Sequence, residues 1–154
     1  MFVVRDSSRA AFDTVVLHDE VAGSRVEVVP TRGALVTSFE ARGREWLYLD
    51  EGTLADASQN VRGGIPVLFP SPGKLAHDSF SIPGVAGLDE TAGKSGKLKQ
   101  HGFARTSAFS EVARGTGGAA WVLVELVDSE STRSAFPFKW HYEQKRCALT
   151  QLTF

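Results

Sequence analysis

Phe136-Pro137-Phe138-Lys139-Trp140-His141-Tyr142-Glu143 is the stretch that decides the fold class. Aromatic residues fall at every second position. A strand of period two would put Phe138, Trp140 and Tyr142 on one face and Lys139, His141 and Glu143 on the other. Upstream, Trp121 to Val127 reads as a largely buried strand. Arg25-Val26-Glu27-Val28 alternates polar and apolar residues, and so does Thr37 to Arg42, while Trp46-Leu47-Tyr48-Leu49 is a denser apolar run. Short turn sequences separate these runs: Ala22-Gly23-Ser24, Arg42-Gly43-Arg44 and Gly115-Thr116-Gly117-Gly118. Short strands joined by tight turns predict an all-β fold, an antiparallel β-sandwich. Thr53 to Ser58 is expected to make one turn of helix, and no other helix is expected.

The middle of the chain breaks this rhythm. Pro66, Pro70, Pro72 and Pro83 oppose continuous strand pairing, because each removes a backbone donor. Asp89 to Lys99 is polar with glycines and lysines, and reads as a loop. A long loop inside a compact β domain is more often functional than idle.

Bulk composition bounds the possible functions. The chain has 154 residues, 42% hydrophobic and 23% charged, with a formal net charge of -1. That suits one domain, residues 1–154, with a sizeable core. The basic residues are scattered, so neither nucleic acid nor an anionic membrane is an expected partner. No apolar run approaches a membrane-spanning length, and the N-terminus lacks a signal-peptide pattern. The lone Cys147 excludes an internal disulfide and a cysteine-rich zinc site, and fits a reducing, cytoplasmic setting. The four histidines are dispersed in sequence, so no metal and no cofactor are expected.

Two segments carry candidate chemistry. In Asn60-Val61-Arg62-Gly63-Gly64-Ile65-Pro66-Val67-Leu68-Phe69-Pro70, the paired glycines permit close backbone approach, and Arg62 offers a forked donor for hydroxyls or an anion. The plainer interpretation is a turn with a surface arginine. In Lys99-Gln100-His101-Gly102-Phe103-Ala104-Arg105-Thr106, an extended backbone would point His101, Phe103 and Arg105 the same way. That would set a hydrogen-bonding ring, an aromatic platform and a cation along one groove, a mixture suited to a sugar. The plainer interpretation here is a structural histidine beside a rim arginine. Gly115 to Gly118 lacks the Lys-Ser/Thr ending of a phosphate loop and reads as a hairpin turn.

The combination of Arg-Gly-Gly-Ile-Pro-Val-x-Phe-Pro with Gln-His-Gly-Phe-Ala-Arg resembles the aldose 1-epimerase (galactose mutarotase-like) family, nearest the hexose-6-phosphate 1-epimerase branch. Phe136-Pro137-Phe138 matches the same pattern, and the resemblance runs from about Ser24 to Tyr142. It implies part of a mutarotase-like β-supersandwich that interconverts the α and β anomers of a hexose or hexose phosphate. It also implies Arg62, His101, Phe103 and Arg105 as substrate-binding residues, with His101 as the one catalytic candidate in this chain. Ser71-Pro72-Gly73-Lys74-Leu75 departs from the bulkier aromatic stretch of the sugar-phosphate branch, which leaves phosphate specificity open.

Mutarotation needs a base for the anomeric hydroxyl proton and an acid for the ring oxygen. In the resembled family these are a Glu and a second His, both downstream of the Pro-Phe strand. The expectation is therefore an incomplete domain that lacks the full proton-transfer pair. His141 and Glu143 share a strand face but lie outside that context. The alternative function is a non-catalytic carbohydrate-binding or vestigial domain. Exposed strand edges of a partial sandwich would also favour a homo-oligomer.

Overall fold

The computed structural model describes residues 1–82 and 94–148. Strands β1 (Phe2–Arg9), β2 (Phe12–Asp19), β3 (Ser24–Val29), β4 (Leu35–Ala41) and β5 (Arg44–Glu45) form one antiparallel sheet in sequential order. Helix α1 (Glu51–Ala55) follows, and then β6 (Ser79–Ile82) pairs with β7 (Lys94–Lys97). Strands β8 (Ser110–Gly115), β9 (Ala120–Val127) and β10 (His141–Ala148) form a second antiparallel sheet in the order β10-β9-β8, with helix α2 (Glu130–Ala135) between β9 and β10. The expected all-β antiparallel sandwich is the observed fold.

Local sequence chemistry sets the turns. Asp19 Oδ1 accepts from the Val21 and Ala22 amides at 3.1 and 3.2 Å and so turns β2 into β3. Arg42-Gly43 closes the β4–β5 hairpin with both residues at positive φ, as the Arg-Gly sequence anticipates. Gly115 to Gly118 leads from β8 into β9, again as a hairpin connection.

The core lies between the two sheets. Val15, Leu17, Val26, Val28 and Val36 of the five-stranded sheet meet Ala120, Val122, Val124 and Ala148 of the three-stranded sheet. β9 shows one-sided burial, with Ala120, Val122 and Val124 inside and Trp121, Leu123 and Glu125 partly exposed. This corrects the expectation of a largely buried strand: the outer face of this sheet has no covering layer among the described residues. β2 and β3 are buried more fully, because their outer face is covered as well. There Arg9 bridges Glu27, at 2.7 Å, and Glu51 at the start of α1, while Leu54 of α1 is fully buried.

Four further expectations need correction. β10 begins at His141, so Phe136 to Trp140 is not strand. The hydrophobic period there marks an aromatic cluster, described below. Trp46 to Leu49 is also non-strand except for a bridge at Leu49, and Trp46 and Tyr48 are exposed. Helix content exceeds the expectation: α2 forms because Ser129 and Thr132 make a reciprocal capping box at its start. The Asp89–Lys99 loop is in part the strand β7; its residues 89–93 lie outside the described residues, as do residues 149–154 of the alternating C-terminal segment.

Candidate functional site

The Arg62-Gly63-Gly64 segment is set by backbone contacts. The Gly64 amide donates to the Tyr48 carbonyl at 2.8 Å, and the Ile65 amide to the Val36 carbonyl at 2.9 Å. Gly63 and Gly64 have φ of 99° and 66°. A Cβ would lie 2.1 Å from the Tyr48 oxygen at Gly63 and 2.5 Å from the Val36 oxygen at Gly64. Only glycine fits this approach. The Arg62 amide donates to Thr53 Oγ1 at 3.0 Å, and Asp50 caps α1 by accepting from the Thr53 amide at 3.1 Å.

Arg32, in the turn between β3 and β4, grips the loop that leads to Arg62. Its side chain is 5% exposed. Its Nη2 donates to the carbonyls of Thr53, Asp56 and Gln59 at 3.1, 2.7 and 2.7 Å, and its Nε to that of Leu54 at 3.4 Å. The next residue, Gly33, donates its amide to the Ser107 carbonyl at 2.9 Å. One turn thus contacts the chain just before the Arg62 segment and just after the His101 segment. Inside the gripped loop, hydrogen bonds from Ser58 and then Gln59 hold the Asp56 carboxyl below its ordinary range.

The His101 segment docks on Phe69. The Phe69 carbonyl accepts from the Phe103 and Ala104 amides at 3.0 and 3.2 Å, and Gly102 makes a bridge to Phe69, which precedes a cis Pro70. Gly102 has φ 66°, and a Cβ there would lie 2.1 Å from the Phe69 oxygen. His101 is also left-handed, at φ 72°, and residues Ala104–Thr106 form a 3-10 turn. The expected extended backbone is therefore absent. His101, Phe103 and Arg105 do not line one strand face, because the Phe69 carbonyl draws two successive amides to itself and curls the chain.

His101 Nδ1 lies 2.7 Å from the Pro72 carbonyl. A carbonyl only accepts, so Nδ1 carries the proton and the neutral ring keeps its lone pair at Nε2. Phe103 belongs to an aromatic cluster centred on Phe69. Phe69 lies 6.0 Å from Phe103, 6.2 Å from Phe136, and 5.0 Å from both Trp140 and Tyr142. Phe103 stacks on Trp140 at 5.6 Å. One face of the expected platform is thus taken up by Trp140.

Among the described residues, neither Arg62 nor Arg105 has a side-chain hydrogen bond or ion pair. The side chains of Arg9, Arg32 and Arg114 are each engaged in hydrogen bonds. Arg105 shares a crevice of about 30 Å³ with Gly33, Leu35, Asn60, Val61 and Pro66, so the two motif segments lie side by side. A space that size holds little more than a water. A cavity of about 500 Å³ opens elsewhere, between β1–β2 and β8. Its one arginine, Arg114, is held by Glu111 and Asp6, whose hydrogen bonds raise its pKa further. Volume and chemistry disagree here. The Arg105 crevice, unlike the larger cavity, carries an arginine whose side chain makes no hydrogen bond or ion pair among the described residues.

Sequence reasoning missed three features. Arg32 looks like an ordinary turn residue, and Phe69 like one apolar residue in a proline-rich loop. The third is on the outer face of the three-stranded sheet, where His141 and Glu143 share a face as expected and Glu125 of β9 joins them. That juxtaposition depends on strand register, which no local pattern shows.

No family model matches the chain. Among solved structures, it is similar to the Slr1438 protein from Synechocystis sp. PCC 6803, with 36% identity and a TM-score of 0.77 over 89% of this chain and 44% of that one. It is also similar to YeaD from Salmonella typhimurium, a candidate mutarotase, with 22% identity and a TM-score of 0.67 over 94% of this chain and 43% of that one. A galactose mutarotase related enzyme from Lactobacillus acidophilus matches at 21% identity and a TM-score of 0.61, over 97% of this chain and 40% of that one. The chain spans less than half the length of each of these proteins. Its fold is the β-sandwich of galactose mutarotase-like proteins.

Proposed function

We propose that the surface formed by Arg62, His101, Phe103 and Arg105 binds a hexose or hexose phosphate, and that the chain is part of an aldose 1-epimerase that interconverts the α and β anomers. The observation that carries this reading is the convergence of the two motif segments. Phe69 draws in the His101 segment through two amides, and Arg105 lies against the residues that precede Arg62. His101 Nε2 accepts a sugar hydroxyl near the ring, because Nδ1–H is committed to Pro72. The two unpaired guanidinium groups donate to further hydroxyls or to a phosphate. The partly exposed edge of Phe103 meets the C–H surface of the sugar. The fold and its likeness to a galactose mutarotase related enzyme support the same reading.

Turnover also needs a second proton-transfer group. Loss of a general acid or base costs roughly 10²–10⁴-fold in rate, so this chain by itself is expected to bind sugar more readily than to convert it. The lone Cys147 fits a reducing cytoplasm as its setting.

Magnetization-exchange NMR on equilibrated glucose, galactose and glucose 6-phosphate tests the enzymatic part. Faster anomer exchange with the chain, abolished by His101→Ala, supports an epimerase. Sugar-induced shifts at His101 without faster exchange would reduce the reading to sugar binding. A His101→Ala variant that bound sugar as well as the parent chain would overturn both.

A further inference from the structure

We propose that Glu125, His141 and Glu143 form a binding site for one divalent transition-metal ion of the zinc type, on the outer face of the β8–β10 sheet. The inference is independent of the sugar surface. β9 and β10 are paired antiparallel with Glu125 directly opposite Glu143, and His141 lies two residues before Glu143 on the same face. One ligand atom from each residue lies within 4.8 Å of the others. His141 Nε2 is 2.8 Å from Glu125 Oε2 and 3.9 Å from Glu143 Oε1. Three candidate ligand groups are thus brought together by two mutually paired strands.

The charge arrangement points to a cation. Two carboxylates directly opposite each other on one sheet face repel. Lys145, the next residue on that face of β10, has its ammonium 4.4 Å from the centre of the Trp121 ring. Ser110, opposite Glu125 on β8, is uncharged. His141 Nε2 is hydrogen-bonded to Glu125 Oε2 at 2.8 Å, and a dication that displaced the ring proton would bind both carboxylates and gain an imidazole ligand.

The donor set selects the class of metal. One imidazole nitrogen and two carboxylate oxygens suit zinc and its borderline neighbours, which use three protein ligands with an open fourth position. Calcium takes six to eight oxygens, and magnesium demands octahedral oxygen geometry; three donors that include an imidazole meet neither need. The partial exposure of all three side chains leaves room for water to complete the shell. Bound metal would clip β9 to β10.

Isothermal titration calorimetry of the metal-stripped chain with ZnCl2 tests this. The expected result is saturable binding of one zinc per chain, weakened about tenfold or more by His141→Ala and by Glu143→Gln. His77→Ala, at an exposed turn, should leave binding unchanged, and MgCl2 should give no saturable heat. Glu143→Gln keeps the test valid if His141→Ala fails to fold. Absence of saturable zinc binding would overturn the proposal, as would zinc binding unaltered by both the His141 and Glu143 substitutions.

Discussion

The five-stranded sheet and the candidate site are built by different means. In the sheet, many equivalent contacts share the stabilisation: Val15, Leu17, Val26 and Val28 fill one face of two long strands, and the register repeats residue by residue. In the site, a few singular contacts fix everything. The Phe69 carbonyl takes two amides, Pro72 takes the His101 ring, and one buried guanidinium gathers four carbonyls. A distributed structure should respond to damage globally, and a singular one locally. Substitutions in the two regions test that contrast.

The largest effects should come from one change in each region. Leu17 is fully buried, so Leu17→Ala should cost about 2–5 kcal/mol of global stability, read by urea denaturation. Gly102→Ala should cost about 3 kcal/mol, because its Cβ would lie 2.1 Å from the Phe69 oxygen. The distinction lies in hydrogen exchange. Gly102→Ala should lose amide protection across residues 101–107 while β2 and β3 keep theirs. Equal loss in both regions would erase the contrast.

Arg32→Gln should follow, at about 2–3 kcal/mol, since a shorter neutral side chain abandons most of the four carbonyls. Its expected signature is chemical-shift change at both 59–62 and 105–107, because the Pro30–Ala34 turn touches both. Shifts limited to the first segment would show that the two are held separately.

A smaller, pH-dependent effect is expected at the edge of the sheet. Burial alone would raise the Glu45 pKa, but hydrogen bonds from Ser38 Oγ and from the Leu47, Phe39 and Trp46 amides outweigh it and hold the carboxyl below its ordinary value of 4.5. A group with a depressed folded-state pKa stabilises above its unfolded value and loses that contribution as pH falls through the folded one. Acidification below about pH 4.5 should therefore loosen the β4–β5 hairpin and the Trp46 segment, seen as a change in Trp46 fluorescence that Glu45→Gln removes.

The smallest effect is a gain. Ala10 and Ala11 form the β1–β2 turn with φ of 48° and 68°. Replacing them with Asn-Gly should raise stability by about 1 kcal/mol, because that pair adopts positive φ at lower cost. No gain in denaturation midpoint would show that the turn strain is relaxed elsewhere.

The same contrast explains what the sequence discloses. β3 and β4 were legible because alternation is a local property of a strand, whereas β9 showed itself only as a short apolar run, without the one-sided burial it has. The turns at Gly43 and Gly115–Gly118 were legible because positive φ selects for residue type. The two motif segments were legible as local sequence, but the way they fold was not. Arg62, His101, Phe103 and Arg105 were named, yet the His101 segment is a turn because a distant carbonyl captures it. Phe136 to Trp140 reads as strand because an aromatic cluster around one hub imitates period two. Arg32 and Glu125 carry no local signal, since their partners come from elsewhere in the chain.

The proposed function requires residues near Arg62 and residues near His101 to form one sugar-binding surface. Titrating the isotope-labelled chain with glucose, galactose and glucose 6-phosphate, and following backbone amides and the His101 ring nitrogens by NMR, tests it most directly. The account predicts saturable shifts at residues 62–64 and 101–105 with one common binding curve, and a change at His101 Nε2 larger than at Nδ1. Shifts confined to the cavity near Asp6 and Arg114, or no shifts with any of the three sugars, would contradict it.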